Sequence, residues 1–435
     1  MEADPTLGPA VAWLADCKSL PADVEAKARL LLLDTMGCLL AGLRHREVQQ
    51  FGRALQFAFP GLSAWPTSDI ALAPAGLAAL GAAAACWDEA CEGHSAAHGR
   101  PGLPVVPALL ALSAGQHTTL GDLLLALVTG YEIGVRAGEA WRIPPGWHVD
   151  GSWHSLAVSA AVARLTGGAA LMQPAIEAAA CQIPASLYLP ITVGSVLRNT
   201  YPAHAVLLGI MSAAAAKAGF AMPIGALDEG RRRVLNARGN ATTAPAGEWT
   251  ILSGYLKPFA GVRHTHYAVD ACLRLRQKPE FSPDKITAIK VQTYPEAVQY
   301  CGNRAPRSAI QAQFSLSYAV AAALVLGDLG PDAYTDIGDP VITGLERLVW
   351  IEADPARHKR SATVTIGVSG NTLVEHAENV VGDPANPMNK DQAVAKFRRY
   401  VESSLGPAPT KLLVDFFIDG NLTVPARQCF ALAGG

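Results

Sequence analysis

Lys257-Pro258-Phe259-Ala260-Gly261-Val262-Arg263-His264-Thr265-His266 is the stretch at which this chain changes its pattern. The first 255 residues, before it, read as helix after helix. One helix begins near Pro21, a residue suited to a first helical position. It runs through Val24, Ala28, Leu31, Leu32, Met36 and Leu39 to a stop at Gly42. The same apolar period predicts helices over 70–87, 103–115, 120–138, 152–167, 172–182 and 202–220. After the stretch, Ile289, Val291 and Thr293 alternate with polar residues as on a strand, and Arg347 to Glu352 reads as another. Val364, Ile366 and Val368 alternate with Thr363, Thr365 and Gly367, then Ser369-Gly370-Asn371 signals a turn into Thr372–Glu375. Helices intervene from Phe314 to Leu326 and from Asp339-Pro340, and the helical pattern returns at Lys390 through Ala393, Phe397, Tyr400 and Val401. The expectation is a mainly α protein. A large all-α domain is built from both chain ends, 1–256 and 385–435, and carries a smaller α+β module, 257–384. The crease between them is the natural place for a pocket.

Composition narrows the class. Of 435 residues, 50% are hydrophobic and only 17% charged, which excludes a disordered chain. The net charge of −2 and the absence of a Lys/Arg-rich block argue against nucleic-acid and membrane-surface partners. The eight cysteines are scattered without a C-x-x-C pair, which fits a reducing compartment. The acidic start, Met1-Glu2-Ala3-Asp4-Pro5, lacks the basic opening of a signal peptide, so a cytoplasmic location is expected. Two uncharged stretches, Ile70–Trp87 and Ala178–Leu197, are too rich in Ala, Pro and polar groups for a bilayer span. They are expected as helices buried within a soluble helical domain.

No dinucleotide fingerprint, Walker loop, nucleophile elbow or H-E-x-x-H motif is present. Polar groups gather instead in four places. The first is Trp87-Asp88-Glu89-Ala90-Cys91-Glu92-Gly93-His94, continuing to His98-Gly99-Arg100. On a continuing helix Cys91, His94 and His98 would share a face, but Gly93 and Gly99 favour a binding loop, so no metal is expected. The second is Gly146-Trp147-His148-Val149-Asp150 through His154, where a packed core imidazole is the plain alternative for either His. In the third, Arg198 ends a long uncharged run and must find an anion, a protein carboxylate or a ligand. The fourth is the opening stretch itself, with its cations interleaved among Phe, Val and Gly. Cations, imidazoles and a few acids together suit a small substrate with more than one carboxylate. Arg and Lys would neutralise it while a His removes the proton from the adjacent carbon.

The chain resembles the MmgE/PrpD family, which includes 2-methylcitrate dehydratase, cis-aconitate decarboxylase and iminodisuccinate epimerase. The resemblance is carried, in order, by Leu31-Leu32-Leu33-Asp34-Thr35-Met36-Gly37-Cys38, the Gly-Ala-Ala-Ala-Ala segment at 81–85 before Asp88, and Pro104-Val105-Val106-Pro107. Gly146-Trp147-His148 follows, then Lys257-Pro258 with Arg263-His264-Thr265-His266, and Gln313-Phe314-Ser315-Leu316-Ser317-Tyr318. It implies a helical domain with an α+β lid, a homodimer, and catalysis without an iron–sulfur cluster or other cofactor. By motif match it implies Asp88, His98, His148, Lys257 and Tyr318 as the catalytic set. Arg198 stands where a lysine is common in the family, and an arginine grips a carboxylate bidentately rather than lending a proton. The expected activity is a lyase on a small di- or tricarboxylate, foremost a dehydratase. His148 or His98 is the base, Tyr318 or the other His protonates the leaving hydroxyl, and Asp88 orients an imidazole. Arg198, Arg263, His264, His266, Glu92 and Trp147 complete the substrate site. An epimerase, a decarboxylase and a non-catalytic polycarboxylate binder are the alternatives on the same scaffold.

Overall fold

The structure, a computed structural model, describes residues 5–115 and 117–434; residues 1–4 of the acidic start lie outside them. Helices dominate. Ala22–Gly42, Pro74–Cys86, Gly102–Ser113, Leu120–Ala140, His154–Gly167, Met172–Ala180 and Tyr201–Lys217 pack on one another, each close to where its apolar period puts it. Leu120–Ala140 starts at a capping box, with Thr119 and Asp122 each accepting from the other's backbone N–H, which satisfies two otherwise orphan donors.

Small residues let these helices touch. Every position from Gly76 to Cys86 is buried, so the alanine-rich helix has neighbours on all sides. A Cβ on Gly42 would lie 1.9 Å from the Ala84 carbonyl oxygen, so only glycine permits that crossing. Gly130 and Gly134 do the same for Leu120–Ala140 against Ala157 and Ala161 of His154–Gly167. Among the described residues no helix is long and apolar enough to cross a membrane.

The second uncharged stretch departs from its expectation. Ala178–Leu197 is not one buried helix. After Ala180 it breaks into a two-residue strand, Ser186–Leu187, paired antiparallel with Trp147–His148, then a short helix Leu189–Val193 and a 3-10 turn from Val196. Pro184 and Pro190 interrupt the backbone ladder and Gly194 turns left-handed at φ 76, which leaves Leu189, Val193 and Leu197 exposed.

The later part holds one four-stranded sheet. Ile286–Thr293 lies centrally, parallel to Val349–Ala353 and antiparallel to Ala362–Val368, which pairs onward with Asn371–Ala377. Val364, Ile366 and Val368 are buried while Thr363, Thr365 and Gly367 between them are half-exposed. Helices His266–Leu275 and Leu316–Leu326 pack against this sheet. The C-terminal helices Lys390–Leu405 and Pro407–Asp419 pack back on Ala22–Gly42, where Lys396 Nζ reaches Asp34 Oδ1 at 2.5 Å.

Candidate active site

A cavity of about 460 Å³ opens where the loop after Pro74–Cys86, the Trp147–His148 turn, the Arg198 turn and the stretch around Lys257 converge. The first of these loops is pinned at several points. Glu92 accepts from Gly102 N at 2.8 Å and Leu103 N at 3.1 Å, at the start of the next helix. Gly93 and Tyr255 exchange backbone hydrogen bonds of 3.0 and 2.8 Å. Lys396 Nζ donates to the Ala90 carbonyl at 2.7 Å. Within this frame Glu89 and His98 both sit in the left-handed region, at φ 52 and 53, a conformation non-glycine residues adopt only when held there.

The deep end of the cavity is an ion cluster. Glu89 Oε1 pairs with Arg198 and lies 3.0 Å from Arg100, while Oε2 lies 3.1 Å from Lys257 Nζ. Asp150 Oδ2 pairs with Arg100 and lies 3.1 Å from Arg198. All five side chains are buried. Burial works to raise the Asp150 carboxyl, but Arg100 and then His148 hold it well below its ordinary value. Burial, then the Arg100 charge, brings Lys257 down to about 7.

His148 is held differently from the other imidazoles. The Asp150 backbone N–H donates to its Nδ1 at 3.0 Å. Burial keeps it neutral by lowering its pKa, against the pull of Asp150. Arg198 Nε donates toward Nε2 at 3.4 Å, so N–H groups face both ring nitrogens, and a neutral ring accepts at only one of them. The His98 ring makes no protein hydrogen bond among the described residues. Burial, then Arg142 and Arg360, lowers its pKa. His264 Nδ1 meets the Tyr294 hydroxyl at 2.7 Å, and its pKa falls to about 3 by burial and then Arg360. Stacked rings connect the two walls: His148 on Tyr188, and His264 on Tyr300.

Of the residues singled out from the sequence, His98, Trp147, His148, Arg198, Lys257, Arg263 and His264 line this one cavity. Asp88, Glu92, His266 and Tyr318 are buried but do not line it. Asp88 Oδ1 pairs with His45 at 2.8 Å. The Tyr318 hydroxyl donates to the Ala333 carbonyl at 2.7 Å. His266 lies behind Arg263, with Nδ1 3.1 Å from its guanidinium and Nε2 3.2 Å from the Gly261 carbonyl. Sequence reasoning missed the cluster acids Glu89 and Asp150, their partner Arg100, the tyrosine rings, and Arg360 near the cavity mouth. The first three lie inside the polar segments quoted above, so their proximity was available; their direction was not. Arg360 sits in a loop with no local signal.

Cys91, His94 and His98 do not form a metal set among the described residues. Cys86, Glu89 and Asp150 do place ligand atoms within 4.8 Å of one another. Arg100 and Arg198 already donate to those same atoms, the Cys86 sulfur included at 3.2 and 3.1 Å. Two guanidinium cations on the donor set do not fit a divalent ion beside them.

Residues 12–244 match the MmgE/PrpD N-terminal domain and residues 259–415 the MmgE/PrpD C-terminal domain. The chain belongs to the MmgE/PrpD family. It is an enzyme of this lyase-type family. It is similar to a cis-aconitate decarboxylase of Aspergillus terreus, 24% identical over 92% of this chain and 89% of that protein. It is also similar to a cis-aconitate decarboxylase-like protein, oryM, of Aspergillus oryzae, 25% identical over 97% and 96% of the two chains. In this MmgE/PrpD chain both matched regions supply the cavity: Glu89, His98, His148 and Arg198 come from the first, and Arg263, His264 and Arg360 from the second. Lys257 lies in the short segment between them.

Proposed function

We propose that this MmgE/PrpD enzyme is a dehydratase of a small di- or tricarboxylate, with residues 257–384 forming the lid of its site. The cavity wall carries Arg100, Arg142, Arg198, Lys257, Arg263 and Arg360 against Glu89, Asp150 and Glu296, a cationic excess suited to a polyanion. One observation carries the choice of reaction. Two neutral imidazoles of unlike state share this wall: His98 has uncommitted nitrogens among the described residues and is free to act as a base, whereas His148 is faced by N–H groups on both of its nitrogens.

In this reading His98 takes the proton α to a carboxylate. The C–H electrons flow into that carboxylate, and the surrounding cations stabilise the charge as it builds. The β carbon–oxygen bond then breaks, and the proton that His98 took from the α carbon is transferred to the departing hydroxide to make water, with His148 and Arg198 holding that side of the wall. Asp88, Glu92, His266 and Tyr318 lie buried behind the wall; of these His266 touches Arg263 of the wall, and Glu92 holds the start of Gly102–Ser113. The enzyme works as a homodimer, which sedimentation equilibrium tests.

The test is a panel of hydroxy-polycarboxylates in deuterated buffer. A conjugated-alkene absorbance together with α-proton exchange is the expected result, both lost in His98→Ala. Exchange without alkene with every compound sinks dehydration and leaves epimerisation. The fungal relatives' names favour a second reading, decarboxylation of an unsaturated tricarboxylate. Release of carbon dioxide without loss of water would establish it in place of the first.

A further inference from the structure

We infer that Glu89 is a built-in carboxylate that occupies the deep anion seat of the cavity, so that the site selects a dicarboxylate over the tricarboxylate with one more carboxylate group. The inference rests on the polycarboxylate reading above and goes beyond it by naming which class fits.

The seat is formed by Arg100, Arg198 and Lys257, which face one another across the deep end. Glu89 engages all three at once. Lys257 has no donor to spare: its three hydrogens match the Glu89 carbonyl at 2.6 Å, Glu89 Oε2 at 3.1 Å and the Gly261 carbonyl at 3.3 Å. Both Arg100 and Arg198 also reach Asp150 and the Cys86 sulfur, Arg198 donates further to Asn199 Oδ1 at 3.0 Å and toward His148 Nε2, and Arg100 to the Cys91 sulfur at 3.6 Å. A substrate carboxylate entering here would meet donors already used and a like charge beside it.

Glu89 is not free to step aside. It is 3% exposed and its backbone is held left-handed at φ 52 by a loop pinned on either side. Swinging the side chain out would strand two buried guanidinium groups on Asp150 alone, and an uncompensated buried charge is strongly unfavourable.

The mouth is the opposite case. Arg360, in the turn between Val349–Ala353 and Ala362–Val368, lines the same cavity. Its guanidinium meets only the Ser95 hydroxyl, at 3.3 Å, and no carboxylate within ion-pair distance among the described residues. Arg142 also lines the cavity without an ion-pair partner among those residues. Substrate carboxylates are therefore read near the mouth, and a third one directed inward finds its seat taken.

Glutarate and propane-1,2,3-tricarboxylate share a five-carbon backbone and differ by one carboxylate, so calorimetric titration with both is the direct test. The wild-type protein should bind glutarate at least as tightly as the tricarboxylate. Glu89→Gln, which keeps the shape and removes the charge, should gain about tenfold or more for the tricarboxylate while glutarate moves by less than about threefold. Glu89→Asp keeps the charge and should show no such gain. Wild-type preference for the tricarboxylate by about tenfold overturns the inference, and needs no variant to fold. So does a Glu89→Gln protein that melts cooperatively and gains nothing. Wild type that binds neither probe and turns over no polycarboxylate sinks the proposed function as well. Wild type that binds glutarate and turns over a polycarboxylate, with no gain in Glu89→Gln, sinks the inference alone.

Discussion

Lys257 and Glu92 each tie a single titration to a measurable outcome. Burial, followed by Arg100, Arg198 and Arg263, sets Lys257 at about 7, while Glu89 and the buried Cys91 thiol are the groups of opposite tendency around it. Its positive charge is lost as pH rises through that value. Because that charge holds Glu89 in the cluster, kcat/KM is expected to fall above about pH 7, and Lys257→Met to lower it by about tenfold and flatten this limb. The stability sign runs the other way. A lysine whose folded pKa lies below its unfolded one binds fewer protons when folded, so its contribution is present above the unfolded value near 10.5 and is lost as pH falls through 7. Glu92 is the mirror case. Burial raises it to about 8, although the N–H groups of Gly102 and Leu103 pull it down. Its contribution is present below its unfolded value near 4.5 and is lost as pH rises through 8. Glu92→Gln keeps an acceptor for those N–H groups. It should leave stability unchanged at acidic pH and raise it by on the order of 1–2 kcal/mol in alkaline buffer, read from urea midpoints.

The helices owe their places to small residues and caps, and these give predictions at the scale of an element. Gly42→Ala would put a methyl group onto the Ala84 carbonyl and force Ala22–Gly42 away from Pro74–Cys86. A loss of about 1–3 kcal/mol is expected, with a lower thermal midpoint. Because Glu89 and His98 follow directly on Pro74–Cys86, activity should fall more than stability alone accounts for. Thr119→Ala removes one side of a capping box far from the cavity, should cost about 1 kcal/mol, and should leave kcat/KM unchanged. Most of these elements were legible, because the period of 3.6 and the alternation in Ala362–Val368 are local signals. Ala178–Leu197 was misread because apolar composition alone does not separate a helix from a broken surface segment; Pro184, Pro190 and Gly194 carried the information.

For the whole molecule, the site depends on side chains that reach across the junction of its helical and mixed parts. Lys257 meets Glu89, Arg360 meets Ser95, and Lys396 of the C-terminal helix ties down both Asp34 and the Ala90 carbonyl. Arg360→Ala removes a half-exposed cation with one weak partner. It should raise KM for a polycarboxylate by about tenfold, with little change in the melting temperature, whereas a structural role would lower both melting and kcat. The family, the mainly helical class, the sheet and the four polar segments could all be read from the sequence, because each is written in neighbouring residues. The direction of each polar side chain could not. Asp88 and Glu89 are adjacent, yet one turns to His45 and the other enters the cluster on Arg100, Arg198 and Lys257. That choice is made by a left-handed backbone at Glu89, and the loop carrying it is held by Gly102 nearby and by Tyr255 and Lys396, distant in sequence. Local pattern determined what kind of protein this is. Only long-range packing decided which of its few charges face a substrate, because direction is fixed by partners that the sequence does not place side by side.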